Sequence, residues 1–348
     1  MRTIVTTMRN EAPFILEWLA YHRAIGFDFF VIFSNDCEDG TDVMLDRLQQ
    51  MGLVAHLPNP RRGKRPVQWT ALKRAANHSA VKKSEWLFVT DVDEFLNIHA
   101  GEGRVDDLLA ARPDADGFLI GWRMFGANGR IAFEDVPVTR QFTAAAPAQM
   151  LWPWRAVQFK ALYRNDGRHP RMGIHRPQRP QNPDASPPVW VDDNGGTAGP
   201  VPGTIIPHTR PRYQLAQINH YAVGSVENFL VKSARGKPNH SDDPIDLAYW
   251  IDRNFNEVED RSILRHEAAT AEAMAELLSD PDLRRLHDEG VAWRRQRIAS
   301  LMQQSDPFYL YARIVQTPPS RSLPIEMQSR LLRGLFAMRA AQMEAAKA

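Results

Sequence analysis

Short apolar, β-branched runs alternate with amphipathic stretches through the first third of the chain. Arg2 to Thr7 (RTIVTT) predicts a strand, and the residues after it place Phe14, Ile15, Trp18, Leu19 and Ile25 mostly on one helical face. Pro13 is acceptable in a first helical turn, and Gly26 stops the helix. Phe27 to Phe33 (FDFFVIF) is a second strand, running through the turn-rich segment Ser34 to Thr41 into another amphipathic stretch. Leu53 to Leu57 predicts a third strand and Trp86 to Thr90 a fourth. Between them, Gln68 to Val81 predicts a helix with Trp69, Leu72, Ala75 and Ala76 turned inward. Strand and helix in strict alternation imply an α/β fold, a mainly parallel sheet with right-handed crossovers and helices on both faces.

Further along, Gly117 to Phe125 and Val157 to Tyr163 read as strands extending this sheet or forming a small second one. Residues 165–212 are crowded with Pro, Gly, Asn and Arg and read as an insertion on the acceptor side of a site. Helical spacing returns in Ser225 to Ala234, Ser262 to Leu278 and Asp282 to Met302, with Leu264, Met274, Leu277, Leu286, Trp293 and Ile298 inward. The expected organisation is a domain over residues 1–240 followed by a helical region over 241–348.

Composition narrows the classes of partner. At 348 residues the chain can bury a sizeable core, and 43 basic against 41 acidic residues leave a net charge of +2, without the global field of a nucleic-acid binder. No nucleic-acid partner is expected, and small molecules are. A single cysteine, Cys37, makes no intrachain disulfide and fits a reducing compartment. The N-terminal apolar stretch is too short for a signal-peptide core, and no run of about 18 apolar residues occurs. The expectation is a cytoplasmic protein, with peripheral attachment to the inner membrane still open.

In an open parallel sheet, ligands bind beyond the carboxyl ends of the strands. Asn10 and Glu11 follow the first predicted strand, Asn35, Asp36 and Asp39 the second, and Asp91, Asp93 and Glu94 the fourth. In WLFVTDVDEF an apolar strand runs into three carboxylates within four residues, an arrangement that self-repulsion makes costly. If the strand continues, Asp91 and Asp93 project to one side and Val92 and Glu94 elsewhere, and Mg²⁺ or Mn²⁺ between the two aspartates relieves the repulsion. A solvated strand end or a helix N-cap is the competing account of an isolated D-x-D. The basic run Arg61-Arg62-Gly63-Lys64-Arg65 reads either as a charged surface loop or as a phosphate neutraliser. Lys232 and Arg235, beside a predicted helix end, read as solvated cations or as a diphosphate site.

The segments TMRNEAPFILEWLAYHRAIGFD, SNDCEDGTDVML, Gln68 with the helix after it, FVTDVDEFL and INHYAVGSVENFLVKSARG together resemble the family-2-like glycosyltransferases of the GT-A fold, especially the bacterial group with a DVDEF dyad. The resemblance implies a Rossmann-like α/β sheet with a helical C-terminal appendage. It also implies metal-dependent, inverting transfer of a sugar from a nucleoside-diphosphate sugar to a hydroxyl of a glycan, lipid-linked or protein acceptor, in glycan or polysaccharide synthesis. Asn10 and Glu11 then lie beside the nucleotide, Asp36 at the base or ribose, Gln68, Lys232 and Arg235 in the donor site, and Asp91 and Asp93 at ribose and metal. His220 completes the metal shell, and an imidazole ligand leans toward manganese. For the general base the candidates are Glu134-Asp135 and His175, and Trp152, Trp154 and Trp190 are candidates to stack on acceptor rings. A nucleotidyltransferase would need a Gly-rich loop that TTMRNEAP lacks. A non-catalytic protein that binds carbohydrate or nucleotide sugar and keeps the fold is the alternative reading.

Overall fold

The computed structural model describes every residue except 62, 64, 65, 179–185, 200–202, 207–209, 237–243 and 346–348. Its first half is β1 (Arg2–Met8), α1 (Ala12–Ala24), β2 (Phe29–Ser34), α2 (Thr41–Gln50), β3 (Ala55–Pro58), α3 (Val67–Ala75), α4 (Ser79–Lys83) and β4 (Trp86–Val89). The four strands are parallel, in the order β3-β2-β1-β4, with Thr3 opposite both Phe29 and Leu87. Alternation along β1 explains why both faces must be covered. Ile4 packs with Trp18, Phe30 and Phe88 on one side of the sheet, and Val5 with Val31, Phe33 and Leu87 on the other. The expected helix over 68–81 is two helices, because the chain turns at Asn77 and His78, and the His78 ring nitrogen accepts from the Ala80 backbone NH to start α4. Trp69, expected inward, is 45% exposed.

The second half comprises β5 (Glu94–Ile98), α5 (Val105–Ala111), β6 (Gly117–Met124), α6 (Val138–Gln141), β7 (Ala144–Ala145), β8 (Phe159–Arg164), β9 (Trp190–Asp192), β10 (Ala216–His220) and α7 (Val226–Arg235). The chain then forms α8 (Leu247–Ile251), β11 (Val258–Glu259), α9 (Glu267–Leu278), α10 (Pro281–Leu301), α11 (Ser305–Gln316) and α12 (Ile325–Ala345). The sheet continues past β4 as β8-β6-β10-β5, with β8 and β5 antiparallel to their neighbours and β9 beside β6. The α/β architecture is the expected one, and its single large sheet takes in both later strand candidates. Part of the Pro-rich insertion is tied to the sheet by a buried ion pair, Arg212 to Asp193 at 2.6 Å, beside Gly121, where any side chain would meet the guanidinium.

The C-terminal helices pack onto this body. Helix α10 lies against α1, α2 and α7, and Gly290 lets it approach, since a Cβ there would fall 2.5 Å from that of Ala12. Asp280 caps its N-terminus by accepting from the Leu283 NH (3.0 Å) and takes a hydrogen bond from Arg47 Nε of α2 (3.1 Å). Among the described residues no helix is long and apolar enough to cross a membrane.

Candidate active site

Glu94 shapes the rim of the sheet. Its buried carboxylate accepts from the Thr90 hydroxyl (2.7 Å) and the Asp91 backbone NH (2.9 Å), so β4 ends at Val89 and the chain turns through Asp91-Val92-Asp93 before β5 begins. The period-two strand expected there is therefore replaced by a turn. Asp91 and Asp93 still line one cleft of about 340 Å³, and Val92 and Glu94, expected to face elsewhere, line it with them.

Each aspartate meets an ammonium. Asp91 Oδ2 lies 3.0 Å from Lys160 Nζ, and its Oδ1 accepts from Gln68 Nε2 at 3.0 Å. Lys160 also reaches Glu94 Oε2 at 3.3 Å and is fully buried on β8, between Phe159 and Ala161. Asp93 Oδ2 lies 2.6 Å from Lys232 Nζ, which also donates to the Ala222 carbonyl, and 3.8 Å from His220 Nε2. One turn further along α7, Arg235 pairs with Glu11 and donates to the Arg9 carbonyl.

The protonation states follow from these contacts. Burial alone would raise the Asp93 carboxyl, but Lys232, His220 and Arg235 outweigh it and hold it below the usual carboxylate range. Burial pushes Glu94 up to about 7 despite Lys160, with repulsion from Asp91 and Asp93 in the same direction. Burial tends to strip the proton from Lys160, and Asp91 and Glu94 reverse this, so the ammonium stays charged. His220 is pushed down to about 3 and His175 to about 4, both by burial, so both rings are neutral.

Asn35, Asp36, Arg61 and Gln68 also line the cleft. Asp36 is in the left-handed region (φ 47°), and its carboxylate accepts from the Arg61 NH at 3.0 Å. Arg62, Lys64 and Arg65 of the basic run lie outside the described residues. Trp122, Trp154, Arg155, His175, Tyr249 and Arg253 line the cleft as well. The Trp122 ring sits between His220 (4.4 Å between centroids) and His175 (5.3 Å), and the Arg253 guanidinium lies 3.5 Å over the Tyr249 ring.

Several expected site residues are thus brought together: Glu11, Asp36, Gln68, Asp91, Asp93, His175, His220, Lys232 and Arg235 all line the cleft. Asn10 lines a small chamber behind Asp93, in the left-handed region (φ 56°), with its carbonyl accepting from Arg294 of α10. Glu134 and Asp135 are not brought in. Glu134 pairs with Arg130 on the surface (3.0 Å), and Asp135 is turned to His287 of α10 (3.1 Å). Of the tryptophans, Trp154 lines the cleft, whereas Trp190 packs over Gly117. Nor are Asp91, Asp93 and His220 gathered as one ligand set. Asp91 is turned to Lys160 and Gln68, and among the described residues there is no group of three or more His, Cys, Asp and Glu that could hold a metal. The sequence reading missed Lys160, Trp122 and Arg294. A lone lysine inside the apolar run FKALY was the available signal for the first.

Residues 5–179 of the 348, half the chain, match the family model for glycosyltransferase family 92. The chain belongs to that family. A family 92 protein of Oryza sativa subsp. japonica is 27% identical over 180 residues, which are 49% of this chain and 28% of the relative. One of Ricinus communis is 31% identical over 104 residues, 28% of this chain and 17% of the relative. The match thus covers 28% of the first relative's length and 17% of the second's, a minor part of each. Among solved structures, Staphylococcus aureus TarS 1-349 in complex with UDP is 19% identical, with a TM-score of 0.30 over 47% of this chain and 46% of that one. The expected glycosyltransferase stands, as a member of family 92, and the two relatives named here are plant proteins. His220, Lys232, Arg235, Tyr249 and Arg253 lie beyond the matched segment, so part of the cleft lining is built by the rest of this family 92 chain.

Proposed function

We propose that this chain transfers a sugar from a nucleoside-diphosphate sugar held in the cleft to a hydroxyl of a glycan, lipid-linked or protein acceptor, with inversion, and that a divalent cation assists at Asp93 and His220. The observation that carries this reading is the ionised Asp93 at the middle of the cleft, facing a neutral imidazole, with Lys232 and Arg235 beside it.

Asp93 and His220 offer two protein ligands to such a cation, and the rest of its shell would have to come from the donor diphosphate and water. A carboxylate and an imidazole suit Mn²⁺ better than Mg²⁺, and His220 needs no deprotonation. When bound, the cation supplies Lewis-acid neutralisation of the diphosphate. The chain's own groups account for the rest. Lys232 and Arg235 meet the charge that gathers on the departing diphosphate, and Asp36 and Gln68 orient the nucleoside and ribose. His175 donates from Nδ1 to the Phe159 carbonyl (2.9 Å), which leaves the lone pair on Nε2. In this reading Nε2 takes the acceptor's hydroxyl proton while the oxygen bonds to the anomeric carbon from the face opposite the diphosphate. As that bond forms, the carbon–oxygen bond to the diphosphate breaks, and its electron pair leaves with the diphosphate.

The test is calorimetric titration of uridine- and guanosine-diphosphate sugars, with and without Mn²⁺, into the wild type and Asp93→Ala. Manganese-dependent binding that the substitution abolishes is the expected result. A folded wild type that binds none of these donors would remove the transferase reading in favour of a non-catalytic one.

A further inference from the structure

Arg294 of α10 is a buried cation that no carboxylate answers. It is 3% exposed, and among the described residues no Asp or Glu lies within ion-pair distance of it. Its guanidinium donates to two neutral acceptors, the Asn228 side-chain carbonyl (2.7 Å) and the Asn10 backbone carbonyl, and lies 4.8 Å from the Phe14 ring. That engages two of a guanidinium's five N–H groups, and Nε–H is buried with no acceptor. Burial lowers its pKa to about 10, which still leaves it charged at neutral pH. Holding such a charge out of water destabilises a fold unless an anion joins it.

Arg294 lines the small chamber behind Asp93, about 50 Å³ in volume. Two carboxylates line it too, and each already has a cation of its own: Lys232 for Asp93 and Arg235 for Glu11. The positive charge left over is that of Arg294. Phe14, Val138 and Phe142 make the chamber partly apolar, which strengthens any ion pair formed inside it. Glu11, Val92, Asp93, Lys232 and Arg235 are walls of the chamber and of the cleft alike, so the chamber adjoins the place read above as the diphosphate site. A space of this size holds about four waters, enough for one carboxylate and too little for a sugar ring.

We propose that the chamber takes the carboxylate of an acidic donor sugar, so that the chain transfers a hexuronic acid in preference to a neutral hexose. This rests on the transferase reading above and names its substrate class. The transferred sugar is bonded directly to the diphosphate, and Lys232, which meets the diphosphate, lines both spaces. A substituent of that sugar is therefore the part of the donor that reaches the chamber. A hexuronate differs from its hexose at the exocyclic carbon alone, which carries a carboxylate in place of a hydroxymethyl group. The carboxylate accepts from the N–H groups that Arg294 has to spare and neutralises it, whereas a hydroxymethyl group leaves the buried guanidinium without a counter-charge.

Calorimetric titration of matched donors into the wild type with Mn²⁺ tests this. The pairs are uridine diphosphate glucuronate against glucose, uridine diphosphate galacturonate against galactose, and guanosine diphosphate mannuronate against mannose. In the pair that binds, the hexuronate is expected to bind at least about tenfold more tightly than the hexose. Arg294→Met should bring the two dissociation constants to within about threefold of each other, chiefly by weakening the hexuronate, while Arg294→Lys, which keeps a charge in the chamber, should retain a preference for it. Circular dichroism melts report the folding of both variants, and the wild-type comparison decides alone if neither folds. Equal binding within every pair, tighter binding of the hexose, a preference undiminished in Arg294→Met, or loss of both donors by both folded variants would each overturn the proposal and leave the transferase reading standing. A folded wild type that binds none of the six would overturn that reading and the proposal with it.

Discussion

His175 shows how much a single backbone contact can decide. Its hydrogen bond to the Phe159 carbonyl selects the tautomer, and its burial lowers it to about 4, so above that value the ring is an unprotonated base facing the cleft. If it is the general base, kcat/KM of the free enzyme should fall on the acid side with an apparent pKa near 4. His175→Gln should lower kcat on the order of a hundredfold with little change in donor affinity. A variant with undiminished kcat, or a profile unmoved by the substitution, would reassign the base. Nothing in the surrounding Arg- and Pro-rich sequence showed that this histidine, rather than the acidic pair at 134 and 135, would reach the cleft. The pair Glu134-Asp135 carries the right chemistry, but Arg130 and His287 hold it elsewhere. Conversely, Lys160 was visible as an anomaly in an apolar strand, while its partners, Asp91 and Glu94, lie two strands of chain away and meet it only in the sheet.

At the scale of elements, the N-terminal strands and helices were readable because each carries its own period and its own stop. The helix over 68–81 was misread as continuous, since its apolar spacing runs through the turn at Asn77 and His78. The role of α10 was not readable at all, because its amphipathic pattern says that it packs but not on what. Arg47 and Asp280 supply part of the answer by fastening α10 to α2. The hydrogen bond from Arg47, with the Leu283 NH beside it, depresses the Asp280 carboxyl from 3.8 to about 2. A depressed carboxyl stabilises the fold fully above its unfolded value, and the contribution is lost as pH falls through the folded one. Asp280→Ala should therefore lower Tm at neutral pH and make Tm less dependent on pH between about 4 and 2. Equal pH dependence in variant and wild type would show that the cap does not hold the helix.

For the whole molecule, buried neutral imidazoles lower stability as the pH falls. His22 is fully buried among Trp18, Tyr21, Phe27 and Phe95, its Nδ1 donates to the Trp18 carbonyl (2.9 Å), and burial pushes it down to about 3. With a folded value below the ordinary 6.5, its contribution is complete above pH 6.5 and is lost as pH falls toward about 3. Each such histidine should lower the unfolding free energy from urea titrations as pH goes from 7 to 5, by up to about 1.4 kcal/mol per pH unit, while Glu94, raised from 4.5 to about 7, acts in the opposite direction over the same range. His22→Gln should remove one histidine's share of that pH dependence, and a variant whose profile between pH 7 and 5 parallels the wild type's would contradict the account. The sequence by itself determined the α/β alternation, the rim on which the acidic residues collect and the presence of Asp91 and Asp93 there, because periodicity and strand ends are local properties of the chain. Only the tertiary structure decided which cation faces which carboxylate, which histidine reaches the cleft and which helix braces it. Those are contacts between residues far apart in sequence, and their partners depend on the strand order β4-β8-β6-β10 that packing, not local pattern, selects.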